Sequence, residues 1–158
     1  MIKEKLFFLL LIFLQLGCHE SKIQKLNIDS FLEHKALVAR KTGKAVNLNL
    51  CKINSFNWDK LIIVSPYTPV EKIRKYNLEN SKYVEKHLLG ILYQESHCLL
   101  LFVEKNMVIR YSYASYSDIS FNYINNIDTI KTLPRNLACK LYVKDSNIGL
   151  KLFHPELN

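Results

Sequence analysis

Apolar and polar positions along the chain switch between several periods, and each switch marks an element. After a basic start carrying Lys3 and Lys5, residues 6–14 are apolar without a polar face. Nine residues rise about 14 Å as a helix at ~1.5 Å each, far short of the ~30 Å hydrocarbon core of a bilayer. A basic start, a short apolar run and small residues behind it form the pattern of a secretory signal. Residues 19–29 are polar and lysine-bearing and read as a tether. Ser30-Phe31-Leu32-Glu33 then fits a capping box, predicting a helix to about Lys41 with Gly43 as its C-cap. Val46, Leu48 and Leu50 alternate with Asn47 and Asn49, the period of a half-buried strand that bulges or ends near Cys51.

The middle of the chain is more apolar. Residues 61–64 form a continuous run of strand length, ending at Ser65-Pro66-Tyr67. Thr68-Pro69-Val70-Glu71 follows as a second capping box, with proline placed for the first helical position. Residues 81–92 leave two readings open. Tyr83, Val84, His87, Leu88 and Ile91 repeat at helical spacing, but Gly90 interrupts them and a strand over 88–93 fits too. Residues 98–103 are apolar on both faces and predict a central strand, which a turn at Glu104-Lys105-Asn106 returns as a hairpin. Met107, Ile109 and Tyr111 are expected on one face of the returning strand. Residues 111–128 carry four Tyr, four Ser and three Asn and read as a loop with some helix. The last pair alternates cleanly: Cys139, Leu141 and Val143 against Lys140, Tyr142 and Lys144, then Ile148, Leu150 and Leu152 beyond a turn.

These elements predict an α+β single domain, with an antiparallel sheet of five or six strands and two or three helices packed on one side. The expected organisation is a signal over 1–17, a tether over 18–29 and one domain over 30–158.

Composition agrees with a folded chain: 49% of the 158 residues are apolar, and glycine and proline number four each. With 22 Lys and Arg against 14 Asp and Glu the formal charge is +8, falling to +7 once residues 1–17 are removed. Such a charge suits anionic headgroups or an acidic protein surface. Nucleic acid is not an expected partner of an exported chain.

Two resemblances add to this reading. Leu14-Gln15-Leu16-Gly17-Cys18 resembles the lipobox of bacterial lipoproteins, with Gln15 where that family usually has leucine. It implies cleavage after Gly17 and a diacylglyceryl group on Cys18. It also implies that His19, in place of an aspartate after the cysteine, directs the protein to the periplasmic face of the outer membrane in a diderm host. The stretch Phe56-Asn57-Trp58-Asp59-Lys60 through Ser65-Pro66-Tyr67-Thr68, with the hairpin after it, resembles a group of small uncharacterised bacterial lipoproteins sharing a WDK…PYT signature. That resemblance implies an envelope lipoprotein and carries over no catalytic residue. Trp58 also reads as a core anchor, and Pro66-Tyr67-Thr68 as the start of a helix.

Candidate chemistry is sparse. Cys51, Cys98 and Cys139 leave three disulfide pairings open, each with one thiol over. No cysteine or histidine spacing fits a metal, and there is no GxSxG, P-loop or GxGxxG. No cofactor is expected. His97 and Cys98 would point to opposite faces of a strand and so form no dyad. Two surfaces carry the functional expectation. One is the basic and aromatic face of Lys140, Tyr142, Lys144 and Lys151; the other is the Tyr/Ser/Asn tract, with Tyr111, Tyr113 and Tyr116, whose composition is that of protein-binding loops. The bland readings are a solvated strand face whose lysines discourage edge pairing and an ordinary polar connection. The resulting expectation is a non-enzymatic, lipid-anchored envelope protein binding an envelope or toxin protein, as an immunity-type protein or accessory subunit. The alternatives are a small hydrolase or thiol enzyme using Cys98 or Asp59, and a domain binding anionic lipid headgroups.

Overall fold

A computed structural model of the chain describes residues 23–53, 56–91, 97–115 and 130–145, with 151–153 by backbone alone. The two apolar runs without a polar face set the middle of the fold. β3 (Lys60–Val64) and β4 (His97–Glu104) pair antiparallel, Leu61 opposite Phe102 and Ile63 opposite Leu100. β5 (Met107–Ser115) flanks β4 and β6 (Ile130–Pro134) flanks β3, both antiparallel. β1 (Gln24–Lys25) adds to the outer side of β5 in parallel, giving the order β1-β5-β4-β3-β6.

Successive side chains of a strand alternate between faces, so a run apolar throughout must be covered twice. One face, with Leu61, Ile63, Cys98, Leu100 and Phe102, lies under α1 (Asp29–Thr42) and a small second sheet. That sheet has the order β2 (Val46–Asn47), β7 (Tyr142–Lys144), β8 (Lys151–Phe153), antiparallel throughout. The other face, with Ile62, Val64, Leu99, Leu101 and Val103, lies under α2 (Val70–Arg74) and α3 (Ser81–Ile91). A short helix, α4 (Arg135–Ala138), follows β6 directly. The α+β single domain is as expected, with two corrections. The main sheet is mixed, because β1 is parallel, and helices cover both of its faces because both faces are apolar.

The helices show why each face closes. In α1, Leu32, Ala36 and Ala39 recur at spacings of four and three, and the two alanines let the helix axis approach the strands closely. Gly43 ends the helix in the left-handed region at φ 61°, donating its N–H to the Ala39 carbonyl at 2.9 Å. The helix starts at Asp29, ahead of the expected capping box, with the Asp29 N–H donated to Asn27 Oδ1 at 3.3 Å. Residues 23–29 are also no tether, because Ile28 is fully buried and residues 24–25 pair with β5. In α3, Val84, Leu88 and Ile91 bury one stripe, which decides the ambiguous segment for helix. Gly90 lies on the exposed side of the helix, where a Cβ would meet the Tyr113 hydroxyl at 3.5 Å, an ordinary contact.

Phe102 is the aromatic centre of the first face. Phe56 and Trp58 both meet it edge-on, with ring centroids 5.6 and 5.3 Å away. The Arg110 and Arg135 guanidiniums lie over the Phe56 and Trp58 rings. Trp58 is therefore the core anchor the sequence indicates. Its neighbours fasten the β4–β5 hairpin, whose turn residues Lys105 and Asn106 both have positive φ, the two-residue geometry that matches strand twist. Asp59 Oδ2 accepts the Lys105 N–H at 2.8 Å, and Lys60 Nζ donates to Asn106 Oδ1 at 3.2 Å.

Replacing Phe102 by alanine should cost about 3–5 kcal/mol, as for a buried phenylalanine left as a cavity. Leu89→Ala, at a site 55% exposed, should stay within ~0.5 kcal/mol. Urea unfolding of both variants checks this, and equal costs would contradict the central position of Phe102.

Candidate functional site

The expected binding face is carried by β7, the middle strand of the small sheet. Leu141 and Val143 point into the core and are fully buried, whereas Tyr142 is half-buried and Lys144 exposed, as the alternation requires. Below the strand, a disulfide joins Cys51 in the 3₁₀ turn Leu50–Lys52 to Cys139 at the end of α4, leaving Cys98 as the free thiol among the described residues. Lys140 is exposed and sits beside the bridge, its N–H donated to the Leu137 carbonyl at 2.9 Å. Across the strands Lys144 is paired with Lys151 and Tyr142 with Phe153. Two lysine positions thus stand directly opposite one another in the register. Tyr116, Gly17 and Cys18 lie outside the described residues.

Tyr111 and Tyr113 do not belong to this face, nor to a loop. Both are in β5, whose phase is reset by one extra residue. Val103 pairs with Val108 and Phe102 with Arg110, so Ile109 is an unpaired bulge. Ile109 consequently packs on the α1 side while Tyr111 and Tyr113 pack on the α3 side. The expectation that Met107, Ile109 and Tyr111 share a face fails for that reason. Tyr111 and Tyr113 therefore lie across the main sheet from the β7 face.

The bulge brings the tyrosines to His87, a residue read from the sequence only as part of the helical repeat. The His87 and Tyr111 rings stack with centroids 3.9 Å apart and 30° between planes. His87 Nδ1 is 3.3 Å from the Tyr113 hydroxyl, and Lys25 Nζ lies 5.6 Å from the Tyr113 ring centre. Burial, then the nearby Lys86 charge, holds the imidazole pKa below its ordinary value. Burial likewise raises that of Tyr113, with Tyr111 adding to it. No acid is among these contacts, so the cluster is a packed aromatic junction between β1, β5 and α3.

The residues offered for catalysis are placed otherwise. Cys98 is fully buried between strands, and desolvation pushes its thiol well above the range in which a thiolate forms at neutral pH. The Asp59 carboxylate serves the hairpin turn. Among the described residues no group of His, Cys, Asp and Glu could hold a metal, and no helix is long and apolar enough to cross a membrane. An open depression on the outer side of α1 gathers Ser30, Glu33, His34 and Arg40 without a buried polar group. No protein family, curated protein or solved structure matches the chain.

Two outcomes follow. In a Cys18→Ser background, a thiol reagent should find no reactive thiol in native buffer, one after denaturation and three after denaturation with reduction. Reducing the bridge, which spans 88 residues, should cost about 2–4 kcal/mol in urea unfolding. A thiol that reacts at once in native buffer would contradict the burial of Cys98. Because the folded pKa of His87 lies below the unfolded value of 6.5, its contribution is complete above that pH and lost as pH falls below it. His87→Gln should therefore lose less stability than the wild type between pH 7.5 and 5.5, and identical losses would contradict a desolvated imidazole.

Proposed function

We propose that the chain is a lipid-anchored bacterial envelope protein that works by holding a protein partner, with the β7 face of Lys140, Tyr142, Lys144 and Lys151 as its contact. The observation that carries this reading is the register of the small sheet, which sets Lys144 against Lys151 beside a half-buried tyrosine. An acidic partner surface would complement this set of lysine positions, and Tyr142 would supply rigid contact area at small entropic cost. The anchor rests on the basic start, the short apolar run and Gly17-Cys18. In a diderm host, His19 after the cysteine favours the periplasmic face of the outer membrane. An immunity-type protein that neutralises a toxin, or an accessory subunit of an envelope assembly, fits this description.

Burial of the Cys98 thiol and engagement of the Asp59 carboxylate in a turn weigh against a thiol enzyme or small hydrolase built on them. Tyr111 and Tyr113, packed against His87, are withdrawn from the contact surface.

A photo-crosslinking residue at Tyr142 in the intact, membrane-associated protein tests the reading. The expected result is a discrete adduct with an acidic envelope or toxin protein, reduced about tenfold or more by Lys144→Glu with Lys151→Glu, a factor worth 1.4 kcal/mol. An adduct unaffected by both reversals would remove this face as the contact.

A further inference from the structure

The chain enters the fold on one side only. Ile23 packs on the α3 side of the main sheet, and residues 24–25 run along the outer edge of β5. Five residue steps separate Cys18 from Ile23, a reach of at most about 18 Å at ~3.3–3.6 Å per residue. If Cys18 carries the lipid, the surface nearest β1 has to lie close to the bilayer.

That surface is α3. Its buried stripe is Val84, Leu88 and Ile91, and its exposed positions are Lys82, Lys86, Leu89 and Gly90, which fall on the opposite side of the helix. The one carboxylate in the helix, Glu85, is turned to the far flank, where Arg74 holds it through two 2.9 Å hydrogen bonds and keeps its pKa low. The near flank faces β1, because His87 stacks on Tyr111, the register partner of Lys25. Leu89, 55% exposed, is one of three large hydrophobic side chains left open among the described residues. Leu37, another, is on α1 across the sheet.

We infer that the outer side of α3, with Lys82, Lys86, Leu89 and the neighbouring Lys25, rests on the anionic bilayer that holds the Cys18 lipid. The inference depends on the lipid anchor of the proposed function and adds the orientation of the domain to it. Three exposed lysines suit anionic headgroups, and a leucine standing out from the same stripe suits the headgroup–acyl boundary. The β7 face, on the other side of the main sheet, is then turned away from the membrane.

Leu89→Cys and Leu37→Cys, each in the full chain and carrying a nitroxide label, test this in vesicles of phosphatidylglycerol and phosphatidylcholine. The other thiols are acylated, bridged or buried, so the label goes to the introduced cysteine. At residue 89 relaxation by oxygen should exceed that by a water-soluble nickel complex severalfold more than at residue 37, and Lys25→Glu with Lys86→Glu should shrink the difference. A diacylglyceryl mass on the protein with equal accessibility at the two sites overturns the orientation while leaving the anchor standing. Absence of that mass overturns the anchor, and the orientation with it.

Discussion

Everything in this fold follows from two neighbouring strands that are apolar on both faces. β3 and β4 contribute Leu61 to Val64 and Cys98 to Val103, all buried. No single layer of helices can cover such a pair, so the chain has to supply material to both sides. It does so in two blocks: α1 with the small sheet on one side, α2 and α3 on the other. Specific contacts fasten each side: on the α1 side Phe102 gathers Phe56 and Trp58 and the disulfide ties the 3₁₀ turn to α4, and on the α3 side Asn80 exchanges two hydrogen bonds with the Val108 backbone at the start of β5.

The same constraint separates the surfaces available for function. Whatever is carried by β7 is on the α1 side, and whatever is carried by α3 is across the sheet from it. The Ile109 bulge sharpens the division, since without it Tyr111 and Tyr113 would change faces and His87 would lose its stacking partner. A domain held at the membrane through β1 and α3 offers β7 outward, so the proposed anchor and the proposed partner do not compete for one surface.

Much of this was legible in the sequence because it is written in local pattern. The strands at 61–64 and 98–103, the turn at Lys105-Asn106, the C-cap at Gly43 and the anchoring role of Trp58 each follow from a few adjacent residues. What escaped depends on distant partners. β1 is two residues long in a polar stretch and is a strand only because the outer edge of β5 is open to it. The bulge at Ile109 leaves no trace in composition, and it turned an expected loop face into packed tyrosines. Cys51 and Cys139 find each other across 88 residues that no spacing rule bridges. The basic face of β7 was readable from alternation, whereas the opposition of Lys144 and Lys151 needed the register.

The central claim is that this domain works at a membrane through a lipid on Cys18. Intact mass and membrane partition of the full-length protein, set against Cys18→Ala, test it most directly. The account predicts a diacylglyceryl mass on a chain beginning at Cys18, recovered with membranes, and neither property in the variant. Two identical, cleaved and unmodified species in the soluble fraction would contradict it and make the protein a secreted domain whose partners lie elsewhere.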